Sequence, residues 1–324
     1  MTALTESNAR RLSRMVSAYM RILCKMCKKG GHSLFFRYRY IDLHFLERWS
    51  AKRIMVYVTS DLHGAFDIRK INPRESEVAQ KMQAGDYLIV CGDFGCVWDG
   101  ASNDNFWLNW LESLPWTTLF IDGNHENFSI LNAYPQEEWN GGKIHRIRSN
   151  VIHLMRGEIY HFDNKTWLAL GGGYSHDHAF RSEGVNWWKQ EIMNQEEAQH
   201  ALDNLAKAGW KADVILSHDV YASHPLANTY ELELERYEAD QVQQLEFLEE
   251  IRKKTDYKIW LCGHYHKDLL TFTDGRPCRM LFDDVRTIDE LLEESQKAAS
   301  DKKAECPSES VKPAVSKGSA LASC

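Results

Sequence analysis

An α/β fold is predicted by three observations. Short, continuous apolar runs rich in β-branched residues, each bounded by turn residues, read as strands of a sheet buried on both faces. Segments with helical spacing fall between them, and that alternation marks the α/β class. Residues 55–296, roughly 240 of the 324 in the chain, are compatible with a single domain of that class.

Residues 55–59 (MVYVT) are the first strand, and residues 75–82 have helical potential. Residues 87–91 (YLIVC) form a second buried strand, and residues 106–114 a helix with Trp and Leu on one side. Residues 117–121 (TTLFI) are a third strand. Two more, near 151–154 and 166–170, flank the turn Asp163-Asn164. A long helix at 195–208 precedes the strand 213–216 (DVIL), and a helix at 240–253 precedes the strand 258–262 (KIWLC). No internal repeat is visible.

A composition of 44% hydrophobic and 26% charged residues is that of an average globular protein. It excludes collagen-like, wholly disordered and disulfide-scaffold classes. The formal charge of −7 is unevenly placed: residues 1–54 hold 12 Lys and Arg against 3 acids, and the remainder 27 against 43. An acidic body argues against broad duplex nucleic-acid binding, which needs a basic stripe. Residues 1–54 read as a basic extension, and Met55, which opens a strand directly, as a natural start. A translated leader outside the native protein is favoured there over a surface-binding arm or a targeting peptide. Residues 297–324, rich in Ser, Ala, Lys and Pro, are expected to be a disordered tail.

Eight cysteines are too few for a disulfide framework in a chain this long. Cys91 and Cys262 lie in strand-like runs, and Cys24-x-x-Cys27 lacks the second pair that a structural zinc site needs. Arg21 and Lys25 interrupt the early apolar stretch where a secretory signal would lie. No run approaches the roughly 20 apolar residues of a membrane span. A reduced, cytoplasmic protein is expected.

The chemistry lies at the residues directly after each strand. The first strand leads into Asp61-Leu62-His63, the second into Gly92-Asp93, and the third into Gly123-Asn124-His125-Glu126. DVIL leads into Ser217-His218, and KIWLC into Gly263-His264-Tyr265-His266. Ligands of open α/β sheets bind beyond the carboxyl ends of the strands. Five strand ends therefore deliver Asp61, His63, Asp93, Asn124, His218, His264 and His266 to one edge. Carboxylate, imidazole and amide oxygen donors suit Mn, Fe, Zn or Co, and the lack of thiolates there argues against structural zinc. Seven donors exceed the needs of one four-coordinate ion, so two divalent metal ions are the economical reading. By composition alone Gly-His-x-His occurs about once per hundred chains, and Gly-Asn-His-Glu more rarely. The ordered set is therefore hard to explain as unrelated loop residues. His218, directly after its strand, is preferred to His224 in the same loop.

Asp61-x-His63, Gly92-Asp93, Gly123-Asn124-His125-Glu126, His218 and Gly263-His264-x-His266 together resemble the calcineurin-like metallophosphoesterase superfamily over about residues 55–266. The resemblance implies a four-layer α/β/β/α sandwich, a single catalytic domain, with a dinuclear centre at the strand ends. It implies Asp61, His63, Asp93 and His266 on one metal. Asp93, Asn124, His218 and His264 would hold the other, with Asp93 bridging. Manganese is expected first, with Fe, Zn or Co compatible. The protein Ser/Thr phosphatases and diadenosine-polyphosphate hydrolases of the superfamily continue Gly-Asp into x-x-Asp-Arg-Gly. Here Gly-Asp runs into Phe94-Gly95-Cys96-Val97-Trp98, which argues against those substrates. Gly171-Gly172-Gly173-Tyr174-Ser175, Arg181 and Trp187-Trp188 resemble small bacterial and phage-borne members of unassigned substrate.

The activity implied is hydrolysis of a phosphate monoester or diester, on a small molecule, protein or nucleotide. Two cations about 3.5–4 Å apart would share a hydroxide for in-line attack. His125, beside Asn124 but not a ligand, is the candidate to contact substrate and to stabilise or protonate the leaving oxygen. Arg181 is a candidate phosphate clamp, weighed evenly against an exposed Arg without that duty. His176 and His178 read as loop residues, Trp187 and Trp188 as packing, and the acidic stretch at 231–240 as a solvated face. A nuclease on short or single-stranded nucleic acid is the alternative enzyme. A metal-binding interaction module without turnover is the alternative outside enzymes.

Overall fold

The computed structural model describes residues 53–227 and 239–305. Residues 1–52 with Cys24 and Cys27, residues 228–238 and the tail beyond Glu305 lie outside the described residues. The strands are β1 (Val56–Thr59), β2 (Tyr87–Cys91), β3 (Thr117–Ile121), β4 (Gln136–Trp139), β5 (Gly142–Arg148), β6 (Val151–Leu154) and β7 (Ile159–Phe162). They continue with β8 (Lys165–Ala169), β9 (Val214–Leu216), β10 (Ile259–Cys262), β11 (Leu269–Thr273), β12 (Arg276–Met280) and β13 (Arg286–Thr287). The helices are α1 (Ser102–Glu112), α2 (Phe128–Leu131), α3 (Gln195–Lys207), α4 (Ala239–Lys254) and α5 (Ile288–Glu305).

The strands form two sheets, ordered β13-β1-β2-β3-β6-β5-β4 and β11-β12-β10-β9-β8-β7. Side chains alternate across each strand, and in the central strands both faces are apolar. Val56, Val58, Ile89 and Leu119 point inward to meet Trp167, Val214, Ile259 and Leu261 of the other sheet. On the outer face of the first sheet, Leu88, Val90 and Phe120 pack against Leu108 and Leu111 of α1. Leu168, Ile215 and Trp260 of the second sheet pack outward against Ala201 and Leu205 of α3 and Leu248 and Ile251 of α4. The result is the α/β/β/α sandwich. Each buried Leu, Ile or Val contributes about 1.5–3 kcal/mol, which explains why the strands read as continuous apolar runs.

Strands β1, β2, β3 and β6 are mutually parallel, as are β8, β9, β10 and β12. The carboxyl ends of β1, β2 and β3 therefore share one edge, and those of β9 and β10 share an edge of the second sheet. Hydrogen bonds join these edges. His264 N–H donates to Asp61 Oδ2 at 3.1 Å, and His218 Nδ1 lies 2.9 Å from the Cys91 carbonyl oxygen.

Three expectations change. The helix expected at 75–82 is replaced by a single 3₁₀ turn, Ala79–Lys81, with another, Ile68–Ile71, before it. Polar side chains there capture backbone amides: Asn72 Oδ1 accepts from Arg74 N–H, and Ser76 Oγ from Ala79 N–H. That competition opposes a continuous helix. The turn Asp163-Asn164, both residues left-handed (φ 49° and 53°), closes a hairpin between β7 and β8. The strands at 151–154 and 166–170 thus lie in different sheets, with β7 between them in sequence. Finally, α5 runs to Glu305, so the chain is still helical where the tail was expected to begin.

Candidate metal centre

Five of the seven candidate ligand residues have left-handed backbones: Asp61 (φ 54°), His63 (46°), Asp93 (48°), His264 (72°) and His266 (50°). Such a conformation costs on the order of 1–3 kcal/mol for a non-glycine residue and persists only where surroundings enforce it. The other described non-glycine residues of this kind are Asn140, Asp163, Asn164 and Asp274, at hairpin turns, and Trp210. The strain is therefore concentrated at the sheet edge. Hydrogen bonds hold it there: Asp61 N–H to Gly92 O (3.1 Å), His63 N–H to Asp93 O (2.9 Å) and Gly64 N–H to Phe94 O (3.0 Å). The buried Lys70 ammonium adds bonds to the carbonyls of Ser60 (3.2 Å) and Asp61 (2.9 Å).

These turns make the side chains converge. His266 Nε2 lies 3.2 Å from Asp61 Oδ1, and His63 Nε2 lies 3.2 Å from Asp93 Oδ2. His218 Nε2 lies 3.3 Å from Asp93 Oδ1 and 3.1 Å from Asn124 Oδ1. Ligand atoms of Asp61, His63 and His266 lie within 4.8 Å of one another, as do those of Asp61, Asp93 and His218, and of His63, Asp93 and His125. His264 joins the second group from the side, its ring 5.0 Å from that of His218. Glycines make room. A Cβ at Gly123 would stand 2.1 Å from Asp93 Oδ1. One at Gly173 would stand 2.8 Å from His218 Cδ2, 3.3 Å from Asn124 Oδ1 and 3.6 Å from His264 Nδ1.

The donor set fits divalent cations. Asp61 Oδ1 is buried with no well-aligned hydrogen bond, its neighbour His266 Nε2 standing 3.2 Å away, a costly state for a carboxylate oxygen unless a cation faces it. The bond from His218 Nδ1 to the Cys91 carbonyl oxygen directs Nε2 to the site, a common support for a metal-binding imidazole. Without a cation, protons supply the positive charge. Although burial opposes it, Asp93 draws the His218 pKa up to about 10, with Asp61 and the Cys91 carbonyl adding to the effect. Asp93 is likewise held well below the usual carboxylate range, its burial outweighed by His218 and His63. Burial, aided by His218 and opposed by Asp219, brings His264 down to about 4. Its imidazole is neutral and free to ligate.

The remaining candidates fall near and far. His125 donates its backbone N–H to Asp93 Oδ1 at 2.8 Å, and its Nδ1 lies 3.2 Å from Arg181 Nη1. Asp177 holds Arg181 through Nε (2.8 Å) and Nη2 (2.9 Å). Arginine only donates, so His125 Nδ1 accepts and Nε2 carries the proton. Burial, then Arg181, His63 and His218, push the His125 pKa down against the pull of Asp93. His224 is turned away from the site, its Nε2 on Thr271 Oγ1 (2.8 Å) and its Nδ1 accepting from Leu226 N–H (3.2 Å). Trp188 is buried and donates to Ser129 Oγ at 2.9 Å. The His176 ring lies 5.9 Å from His264, and the His178 ring 5.3 Å from Trp187.

Sequence reasoning missed three supporting residues. Ser175 Oγ accepts from Asn124 Nδ2 at 3.2 Å, and Glu191 accepts from Ser175. Lys70 lies nine residues beyond the Asp61 carbonyl that it ties down. A buried Lys or Glu gives no periodic signal. Only the glycine triplet just before Ser175 marks that backbone as unusual.

A family model described as calcineurin-like phosphoesterase matches residues 54–268. No curated protein sequence matches the chain. Among solved structures, a Staphylococcus aureus protein provisionally named a 5'-nucleotidase aligns at 15% identity and a TM-score of 0.40, over 76% of this chain and 58% of its own. A phosphopantetheinyl hydrolase of Mycobacterium tuberculosis aligns at 14% identity and 0.35, over 73% and 96%. A sulfate thiohydrolase of Thermus thermophilus aligns at 12% identity and 0.33, over 78% and 61%. The chain spans less than two thirds of the first of these. No helix among the described residues is long and apolar enough to cross a membrane. The family model covers well over half of the sequence, from the first strand through the Gly-His-x-His turn, and on that ground the chain belongs to the calcineurin-like phosphoesterase family of metal-dependent hydrolases.

Proposed function

We propose that the chain hydrolyses phosphate monoesters or diesters at a dinuclear metal centre. The observation that carries this reading is the placement of Asp93, whose two carboxylate oxygens face different imidazoles, His63 at 3.2 Å and His218 at 3.3 Å. A carboxylate so placed suits a bridge between two ligand groups. Asp61, His63, Asp93 and His266 would form one, and Asp93, Asn124, His218 and His264 the other. Divalent cations held there, manganese first among Mn, Fe, Zn and Co, would supply Lewis acidity toward water and phosphoryl oxygens.

The rest of the chemistry belongs to the protein. His125, neutral with its proton on Nε2, offers a hydrogen-bond donor to an oxygen that gains charge as the ester bond breaks. A positioned donor of this kind stabilises the transition state more than the ground state. Arg181 keeps that tautomer in place through His125 Nδ1 and brings a guanidinium to the same side of the site. Asp177 fixes the guanidinium in turn.

The test is an assay of the full-length chain, stripped of metal and reloaded with manganese, against an aryl phosphate monoester and the matching bis-aryl diester. Turnover of at least one, lost again on chelation, is expected. A loaded protein inert toward both would overturn the reading.

A further inference from the structure

Asn124 differs from the other candidate ligands in one respect. Its side chain has two chemically different ends, and only the oxygen can bind a cation. We propose that Glu191 and Ser175 are positioning residues that keep Asn124 Oδ1 turned toward the metal site. The inference rests on the reading of Asn124 as a ligand.

The bonds form a chain with one consistent direction. Glu191 accepts twice from Ser175, at Oε1 from the backbone N–H (2.9 Å) and at Oε2 from the hydroxyl (2.7 Å). With its only hydroxyl proton committed to Glu191, Ser175 Oγ has lone pairs alone to offer Asn124. It accepts from Asn124 Nδ2 at 3.2 Å. A flipped amide would set oxygen against oxygen at that contact and aim its NH₂ group at the site. All three residues are buried, at 6% (Asn124), 2% (Ser175) and 1% (Glu191) exposure, so bulk water is not at hand to replace a lost partner. The backbone is pinned as well: Gly173 N–H donates to the Glu191 carbonyl at 3.1 Å.

Partners outside the ligand set that orient ligands are typically worth about 10–100-fold in metal affinity. Calorimetric titration of manganese into the metal-stripped, full-length chain tests the relay by a double-mutant cycle. Ser175→Ala is expected to weaken binding by about 10-fold or more. In an Asn124→Asp background both ends of the side chain are oxygens, and orientation no longer matters. There Ser175→Ala should cost nothing or even help, since it removes a lone pair facing a carboxylate. Glu191→Gln, nearly isosteric, should weaken binding as Ser175→Ala does, because its NH₂ group must face one of the two Ser175 donors. It carries the same cycle if Ser175→Ala does not fold.

Unchanged affinity in Ser175→Ala and Glu191→Gln would overturn the relay, as would equal losses in both backgrounds, which a packing role predicts. Unchanged manganese binding in Asn124→Ala would instead remove the ligand assignment itself.

Discussion

Asp93→Asn is expected to reduce bound metal to at most one ion per chain and to lower turnover by on the order of 10³-fold or more. An amide supplies one oxygen where the carboxylate supplies two. Its nitrogen would then face His63 or His218, each now about 3.2–3.3 Å from an Asp93 oxygen. The negative charge that both imidazoles share is lost too. Metal content by mass spectrometry, read beside kcat on the better aryl ester, checks both effects. Two ions and activity within about tenfold of the parent would contradict a bridging role.

His125→Ala should behave differently: both metals stay and kcat falls by about 10²–10³-fold. The side chain accepts from Arg181, while the contact with Asp93 is made by the His125 backbone N–H, which the substitution keeps. His125→Gln, which restores an N–H donor, is expected to recover part of the loss. Burial and then Arg181 lower the His125 pKa below its ordinary value, which favours the neutral imidazole and a role as hydrogen-bond donor. The kcat profile should therefore show no limb that disappears in His125→Gln. Unchanged turnover in His125→Ala would remove the role altogether.

Much of this site is legible in the sequence because chemistry and local structure coincide there. A parallel strand buried on both faces is a plain apolar run, and the residues just after it lie at the sheet edge by geometry. That logic brings together Asp61, His63, Asp93, Asn124, His218, His264 and His266, and it separates His218 from His224, which bonds to Thr271. It fails where the signal is tertiary. Strand β4 reads QEEW, with three exposed residues, and is a strand only because β5 pairs with it. Strand β7 escapes because only its pairing with β8 distinguishes four residues from a loop. Arg181, evenly balanced in sequence between clamp and bystander, has its place set by Asp177 and His125, contacts without sequence periodicity. The Glu191–Ser175–Asn124 relay links residues 16 and 51 positions apart, and no local pattern announces it.

The central claim is that five strand ends build a site for two cations. Its most direct test is titration of manganese into the stripped, full-length chain, repeated in buffers of different ionisation enthalpy across neutral pH. With His218 drawn up to about 10 in the metal-free site, a cation must displace its proton. Affinity should therefore rise with pH while His218 is still protonated, by up to about tenfold per unit for each proton released. Two equivalents bound, with proton release, is the predicted result. No binding, or one equivalent with no proton released, would contradict it.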